Sequence, residues 1–91
     1  MQRKLITSAQ FRRDAKRIKK QGLNTSELLG VVNLLIEGKP IPEEMDDHPL
    51  KGSLEGFRDL HIRSDWLLIY KISDDSILLQ RTGSHAEVLK I

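Results

Sequence analysis

Apolar positions along this chain change their period twice, and the changes divide it into elements. Phe11, Ala15 and Ile18 recur at helical spacing inside a run otherwise made of Arg12, Arg13, Lys16, Arg17, Lys19 and Lys20. That pattern predicts a helix with one narrow buried stripe and a basic remainder. Thr7 with Gln10 fits a capping box, so the helix is expected to start at Ser8, with Ile6 and Phe11 at the staple positions. Gly22 is placed to close it in a left-handed conformation, and the lysines of the last turn suit the negative end of the dipole. Asn24 with Glu27 repeats the capping pattern, and Leu28, Leu29, Val31, Val32, Leu35 and Ile36 give the broader face of a second helix, stopped by Gly38 and Pro40. Residues 2–6 are expected to form a short strand ahead of the first helix.

From Lys39 to Gly56 the chain carries Pro40, Pro42, Pro49, Gly52 and Gly56, which predicts a long irregular connection with His48 inside it. The period then becomes two. Arg58, Leu60 and Ile62 should share one strand face and Asp59, His61 and Arg63 the other. Ser64-Asp65 is expected at a hairpin tip, and the continuous apolar run from Trp66 to Ile72 predicts a central strand covered on both sides. Residues 73–76 form a second turn signal before Ile77–Thr82, where Ile77, Leu79 and Arg81 are expected on one face. Gly83 breaks that strand, and Ser84 with Glu87 should cap a short terminal helix or turn with His85 in its first turn. Strand, helix, helix and three strands predict an α+β domain, with the two N-terminal helices on one face of a small antiparallel sheet.

Ninety-one residues make one domain, 1–91. No apolar run approaches the roughly 18 residues of a membrane span, and no signal peptide is visible, so a soluble cytoplasmic protein is expected. The absence of cysteine excludes disulfides, thiolate catalysis and sulfur-rich zinc sites. Net charge is only +2, yet residues 1–20 hold eight Lys or Arg against one acid, Asp14, while Glu37, Glu43, Glu44, Asp46 and Asp47 oppose Lys39 further on. Such separation suits a polyanion that touches one region and not the other.

All three histidines, His48, His61 and His85, lie in the second half, and Asp65 stands close after His61. Each has a plain reading. His48 can be a solvated loop residue, His61 a strand residue bonded to Asp59 or Asp65, and His85 the start of a helix, where the dipole disfavours a cation. Arg81 can pair with an acid across the sheet, Trp66 and Tyr70 belong more naturally to a core, and basic helix residues commonly form a solvated face. Together they also supply proton chemistry, since imidazole titrates near about pH 6.5. RNA brings its own nucleophile, the 2′-hydroxyl, so a nuclease without metal needs a base, an acid for the leaving 5′-oxygen and a cation for the phosphorane. The order His-x12-His-x3-Asp-x19-His follows no short zinc signature, and no metal or other cofactor is expected.

The segments Asp47-His-Pro-Leu-Lys-Gly52, Gly56-Phe-Arg-Asp-Leu-His61, Ser64-Asp-Trp-Leu-Leu-Ile-Tyr-Lys71 and Arg81-Thr-Gly-Ser-His85 resemble, in order and spacing, the YafQ branch of the RelE/ParE toxin superfamily. The likeness covers nearly the whole chain and implies a RelE-like β-α-α-β-β-β domain. It also implies a bacterial type II toxin, a ribosome-dependent endoribonuclease that cleaves mRNA and inhibits translation, held inactive by a cognate antitoxin. Carried onto this sequence, the family's catalytic set becomes His48, His61, Asp65 and His85, with Arg81 near the scissile phosphate. His85 then looks like the general acid, Asp65 and His48 like the base or its support, His61 like an orienting or charge-stabilising group, and Arg81 like the phosphorane's counter-charge. Arg12, Arg13, Lys16, Arg17, Lys19 and Lys20 are the expected contacts to ribosomal RNA. One position departs: Leu89 stands where the family often carries an aromatic residue, and leucine cannot stack on a base. Two other outcomes stay open, a non-catalytic toxin of the same fold like the gyrase-directed ParE branch, and an inactive RNA-binding relative.

Overall fold

A computed structural model describes residues 3–89. Strand β1 (Lys4–Thr7) leads into helix α1 (Ala9–Lys20) and helix α2 (Thr25–Glu37). After an irregular stretch come β2 (His48–Pro49), β3 (Arg58–Arg63), β4 (Trp66–Ile72), β5 (Ser76–Gly83) and the short helix α3 (His85–Leu89). They build one five-stranded sheet in the order β1-β5-β4-β3-β2. This is the expected α+β arrangement with two differences: the two-residue strand β2 extends the sheet, and β1 pairs with β5 in parallel, while the other pairings are antiparallel. The two helices between β1 and the β-meander return β1 to the far edge beside β5, a crossover that a hairpin cannot make. Gln2, expected in the first strand, lies outside the described residues.

The caps follow the sequence closely, with one shift. Ser8, not Thr7, is the N-cap of α1: its hydroxyl accepts from the Phe11 amide at 2.9 Å. Thr7 instead takes Arg12, whose guanidinium bonds the Thr7 carbonyl and hydroxyl. Ile6 is half exposed, so the expected staple with Phe11 does not form. Asn24 caps α2 through the Ser26 amide, and Gly38 closes it at φ 71°, a left-handed geometry that glycine adopts without strain.

Phe11, Ile18, Leu28, Val31, Val32 and Leu35 from the helices meet Leu60, Ile62, Trp66, Leu68, Tyr70, Ile77 and Leu79 from the sheet in one core. Leu29, expected in it, is exposed. The opposite sheet face carries a smaller apolar cluster in which Leu67, Ile69 and Val88 are covered by Leu50, Leu54, Phe57 and Leu89. Strand β4 is therefore buried on both sides from Trp66 to Tyr70, while Lys71 and Ile72, at the end of the run expected to be covered, are exposed. Leu89 packs in this second cluster. Trp66 is buried too, and its indole N–H donates to the Thr82 hydroxyl at 2.9 Å, so it is not free to replace a stacking aromatic. Among the described residues no helix is long and apolar enough to cross a membrane.

Candidate active site

Sheet register places the site. His48 pairs with Asp59, Asp59 with Ile69, and Ile69 with Arg81, so these four form one row across β2, β3, β4 and β5. His61, Leu67 and Gly83 form the next row, and His85 follows at the start of α3. Paired residues share a face, and Leu67 and Ile69 belong to the smaller cluster. The histidines therefore lie on the face away from α1 and α2. His48 was expected in an irregular loop. Instead two residues of that connection pair with β3, which fixes the ring over Asp59.

Two β-bulges decide which side chains reach this face. The β3–β4 register shifts between His61 and Arg63, and Arg63, expected beside His61, turns to the helix side and pairs with Glu27 of α2. The β4–β5 register shifts between Ile69 and Tyr70. Leu79 therefore opposes Tyr70 in the large core, and Arg81 opposes Ile69 on the other face rather than following Leu79. An extra residue on one strand reverses the alternation beyond it.

The four expected proton-handling residues come together. The His85 ring Nδ1 is 2.6 Å from Asp65 Oδ1, and the His85 backbone N–H donates to the same oxygen at 3.0 Å. Those two bonds, backbone first and ring second, hold the Asp65 carboxyl below the usual carboxylate range. An ionised Asp65 keeps the hydrogen on His85 Nδ1, which leaves Nε2 as the working atom. Ser84 and Glu87 form the capping box that steadies this turn, with Ser84 N–H on Glu87 at 2.9 Å and Glu87 N–H on the Ser84 hydroxyl at 3.2 Å.

His85 Nε2 is 3.3 Å from His61 Nε2. Two such nitrogens hold one hydrogen between them, because a second would set two N–H groups head-on. With His85 Nδ1 carrying its hydrogen, neutral rings require His61 to donate and His85 to accept. The His61 ring in turn stacks on His48 with centroids 6.5 Å apart. Three imidazoles thus run in line from β2 to α3.

Asp59 completes the line, and the residue pattern did not single it out. It is 3% exposed, and its Oδ1 sits 3.1 Å from His48 Nε2, a distance suited to an ion pair but angled away from a hydrogen bond. His48 Nδ1 is 2.7 Å from the Asp46 carbonyl and so carries hydrogen. Burial pushes the Asp59 carboxyl above its ordinary value, opposed by the charges of His48, His61 and His85 and reinforced by Asp46. Asp59 Oδ1 thus faces the His48 ring as a buried charge partner without a hydrogen bond. A carboxyl raised on folding makes its ionised form a native-state cost at neutral pH. Asp59→Asn, which removes the charge while keeping the shape, is therefore expected to raise the denaturation midpoint at neutral pH. An unchanged or lower denaturation midpoint would show that this carboxylate carries no such cost.

Arg81 is placed in the same row but is not in contact with the histidines. Its Nε and Nη2 donate to Asp14 of α1 at 2.8 and 3.2 Å. Arg17, expected among the free cations of α1, is also turned inward: it donates to Asp14 at 2.7 Å and to the Thr82 carbonyl at 2.9 Å, and its Nε lies 3.0 Å from Glu87 as an ion pair without a hydrogen bond. Arg12, Arg13, Lys16, Lys19 and Lys20 remain exposed.

Comparison with known proteins agrees with this fold. A model of the YafQ bacterial toxins of type II toxin–antitoxin systems matches residues 3–90. The chain belongs to the YafQ toxin family. It is 40% identical over 87 residues to the mRNA interferase toxin YafQ of Escherichia coli K12, covering 94% of this chain and 95% of that protein. The crystal structure of YafQ from E. coli BL21(DE3) superposes with a TM-score of 0.91 at 39% identity, covering 96% and 98% of the two chains. YafQ in the E. coli DinJ–YafQ toxin–antitoxin complex gives 0.89 at 39% identity, covering 97% and 98%.

Proposed function

We infer that this YafQ-family chain is an mRNA interferase, the toxin of a type II pair that cuts mRNA on the ribosome by metal-free acid–base catalysis. The observation that carries the reading is the line Asp65–His85–His61–His48–Asp59, which pairs a held imidazole at each end with a carboxylate. A cytoplasmic site of action goes with the substrate.

His48, backed by Asp59, takes the proton of the attacking 2′-hydroxyl. His85, protonated at Nε2 and fixed by Asp65, gives its proton to the leaving 5′-oxygen. The attack forms a bond from the 2′-oxygen to phosphorus and breaks the bond to the 5′-oxygen, leaving a 2′,3′-cyclic phosphate and a 5′-hydroxyl. Between them His61, whose Nε2 then accepts from His85, orients that ring, and Arg81 supplies the permanent cation. Asp65 acts through His85 and is a positioning residue in this scheme. Arg12, Arg13, Lys16, Lys19 and Lys20 dock the protein on ribosomal RNA. A cognate antitoxin covers the same basic surface, where an open apolar cleft between β1, α1 and α2 is rimmed by Lys16 and Lys19.

The purified protein is expected to cut an mRNA programmed on ribosomes and to leave the same mRNA whole when ribosomes are omitted. Intact mRNA in both tubes together with inhibited DNA gyrase would replace this reading with the ParE-like one. Ribosome binding without any cleavage would replace it with the inactive relative.

A further inference from the structure

The only acid in the basic N-terminal block is the most deeply placed charge in the described part of the protein. Asp14 has no exposure, although it sits on α1 among Arg12, Arg13, Lys16 and Arg17. A buried carboxylate is costly unless every lone pair finds a donor, and here each oxygen does. Oδ2 accepts from Arg81 Nε at 2.8 Å and from the Thr82 amide at 3.2 Å. Oδ1 accepts from Arg17 at 2.7 Å, from Gln10 at 3.0 Å and from Arg81 Nη2 at 3.2 Å. The Thr82 contact matters for placement. β1 pairs with β5 only as far as Leu79, so beyond it the outer edge of β5 is open, and Asp14 fills that edge and takes its N–H.

The geometry points to Asp14 as the positioning residue of Arg81, a role that rests on the proposed nuclease reading: the buried carboxylate grips one edge of the guanidinium and presents the opposite edge to the scissile phosphate. Arg81 uses Nε and Nη2 on Asp14, which leaves Nη1 and the outer hydrogen of Nη2 for an anion. A bidentate grip fixes the plane as well as the place of a guanidinium. Arg17 is part of the same device. It shares Oδ1 with Arg81, and its hydrogen bond to the Thr82 carbonyl and ion pair with Glu87 link the edge of β5 to the turn that carries His85. Gly83, between these parts, holds φ at 149°, which residues with a side chain rarely adopt, and a Cβ there would also displace the Arg17 guanidinium, whose Nη2 would stand 2.5 Å away.

A double-mutant cycle tests this. Single-turnover cleavage of ribosome-bound mRNA is measured for wild type, Asp14→Asn, Arg81→Gln and the double variant, each first shown to be folded. In the wild-type background Asp14→Asn is expected to slow cleavage roughly tenfold to a hundredfold, the effect of displacing a catalytic group by about 1 Å. In the Arg81→Gln background the same change should cost less than about twofold, because the group it positions is gone. Equal losses in both backgrounds, or no loss in either, would overturn the inference. If Asp14→Asn does not fold, Asp14→Glu, which keeps the charge and moves it by one methylene, goes through the same cycle with the same criterion. His85→Ala serves as the reference: active wild type and inactive His85→Ala with an additive cycle sink the positioning role alone, whereas intact mRNA with wild type sinks it together with the nuclease reading.

Discussion

His85→Ala is expected to slow cleavage of ribosome-bound mRNA by about a hundredfold or more while shifting stability by less than about 0.5 kcal/mol. The two expectations follow from one geometry. The ring of His85 is partly exposed and makes its polar contacts to Asp65 and His61, so little packing is lost with it. The backbone N–H of His85 still reaches Asp65, and the Ser84–Glu87 capping box is untouched, so α3 keeps its start. What disappears is the imidazole that an ionised carboxylate holds at Nδ1, with Nε2 turned to His61. Asp65→Asn should fall between wild type and His85→Ala, because an amide still accepts the backbone N–H but no longer favours the charged ring. The check is a single-turnover time course beside a thermal melt for each protein. Cleavage by His85→Ala at the wild-type rate would remove the general-acid assignment, and equal loss in Asp65→Asn and His85→Ala would make the carboxylate an equal partner of the ring.

The histidines and Asp65 that meet in the candidate site were legible in the sequence, and so was most of the scaffold. Period 3.6 gave α1 and α2, period two gave β3, and an unbroken apolar run gave a β4 covered on both faces from Trp66 to Tyr70. These signals are local, and local patterns survive folding when burial has one direction. The two bulges were not legible, since neither extra residue is a glycine or otherwise marked, yet each reverses every side chain after it. That is why Arg63 joins Glu27 and not His61, and why Arg81 leaves the face of Leu79. The two-residue strand under His48 is shorter than any period can reveal. Asp14 and Asp59 read as ordinary polar positions because their burial is made by distant partners: Arg81 is 67 residues from Asp14. In a chain with 31% charged residues, no local feature separates a buried acid from a solvated one.

Asp14→Asn is expected to lower stability at neutral pH by about 2–3 kcal/mol. Removing one member of a fully buried pair costs about 3–5 kcal/mol, and the figure is reduced because Arg17 and Arg81 keep 31% and 20% of their side chains in water and can be rehydrated. The pH dependence carries the sign. Burial works to raise the Asp14 carboxyl, but bonds from Arg81, Arg17, Gln10 and Thr82 outweigh it and bring it below the ordinary 3.8. A carboxyl depressed in the folded state contributes its stability in full above the unfolded value and loses it as pH falls through the folded one. The gap between wild type and Asp14→Asn should therefore be constant near neutrality and close below about pH 4. Asp59 works in the opposite sense, because a raised carboxyl takes up its proton in the folded state first and relieves a native-state cost on acidification. Urea melts of wild type, Asp14→Asn and Asp59→Asn at neutral and acidic pH separate the two. A gap for Asp14→Asn that stays constant to pH 3 would mean that the aspartate acts by shape and not by charge. A domain of this length holds about 5–14 kcal/mol in total, so the loss at pH 7 leaves Asp14→Asn mostly folded, and its slower cleavage can be assigned to a guanidinium that has lost its holder.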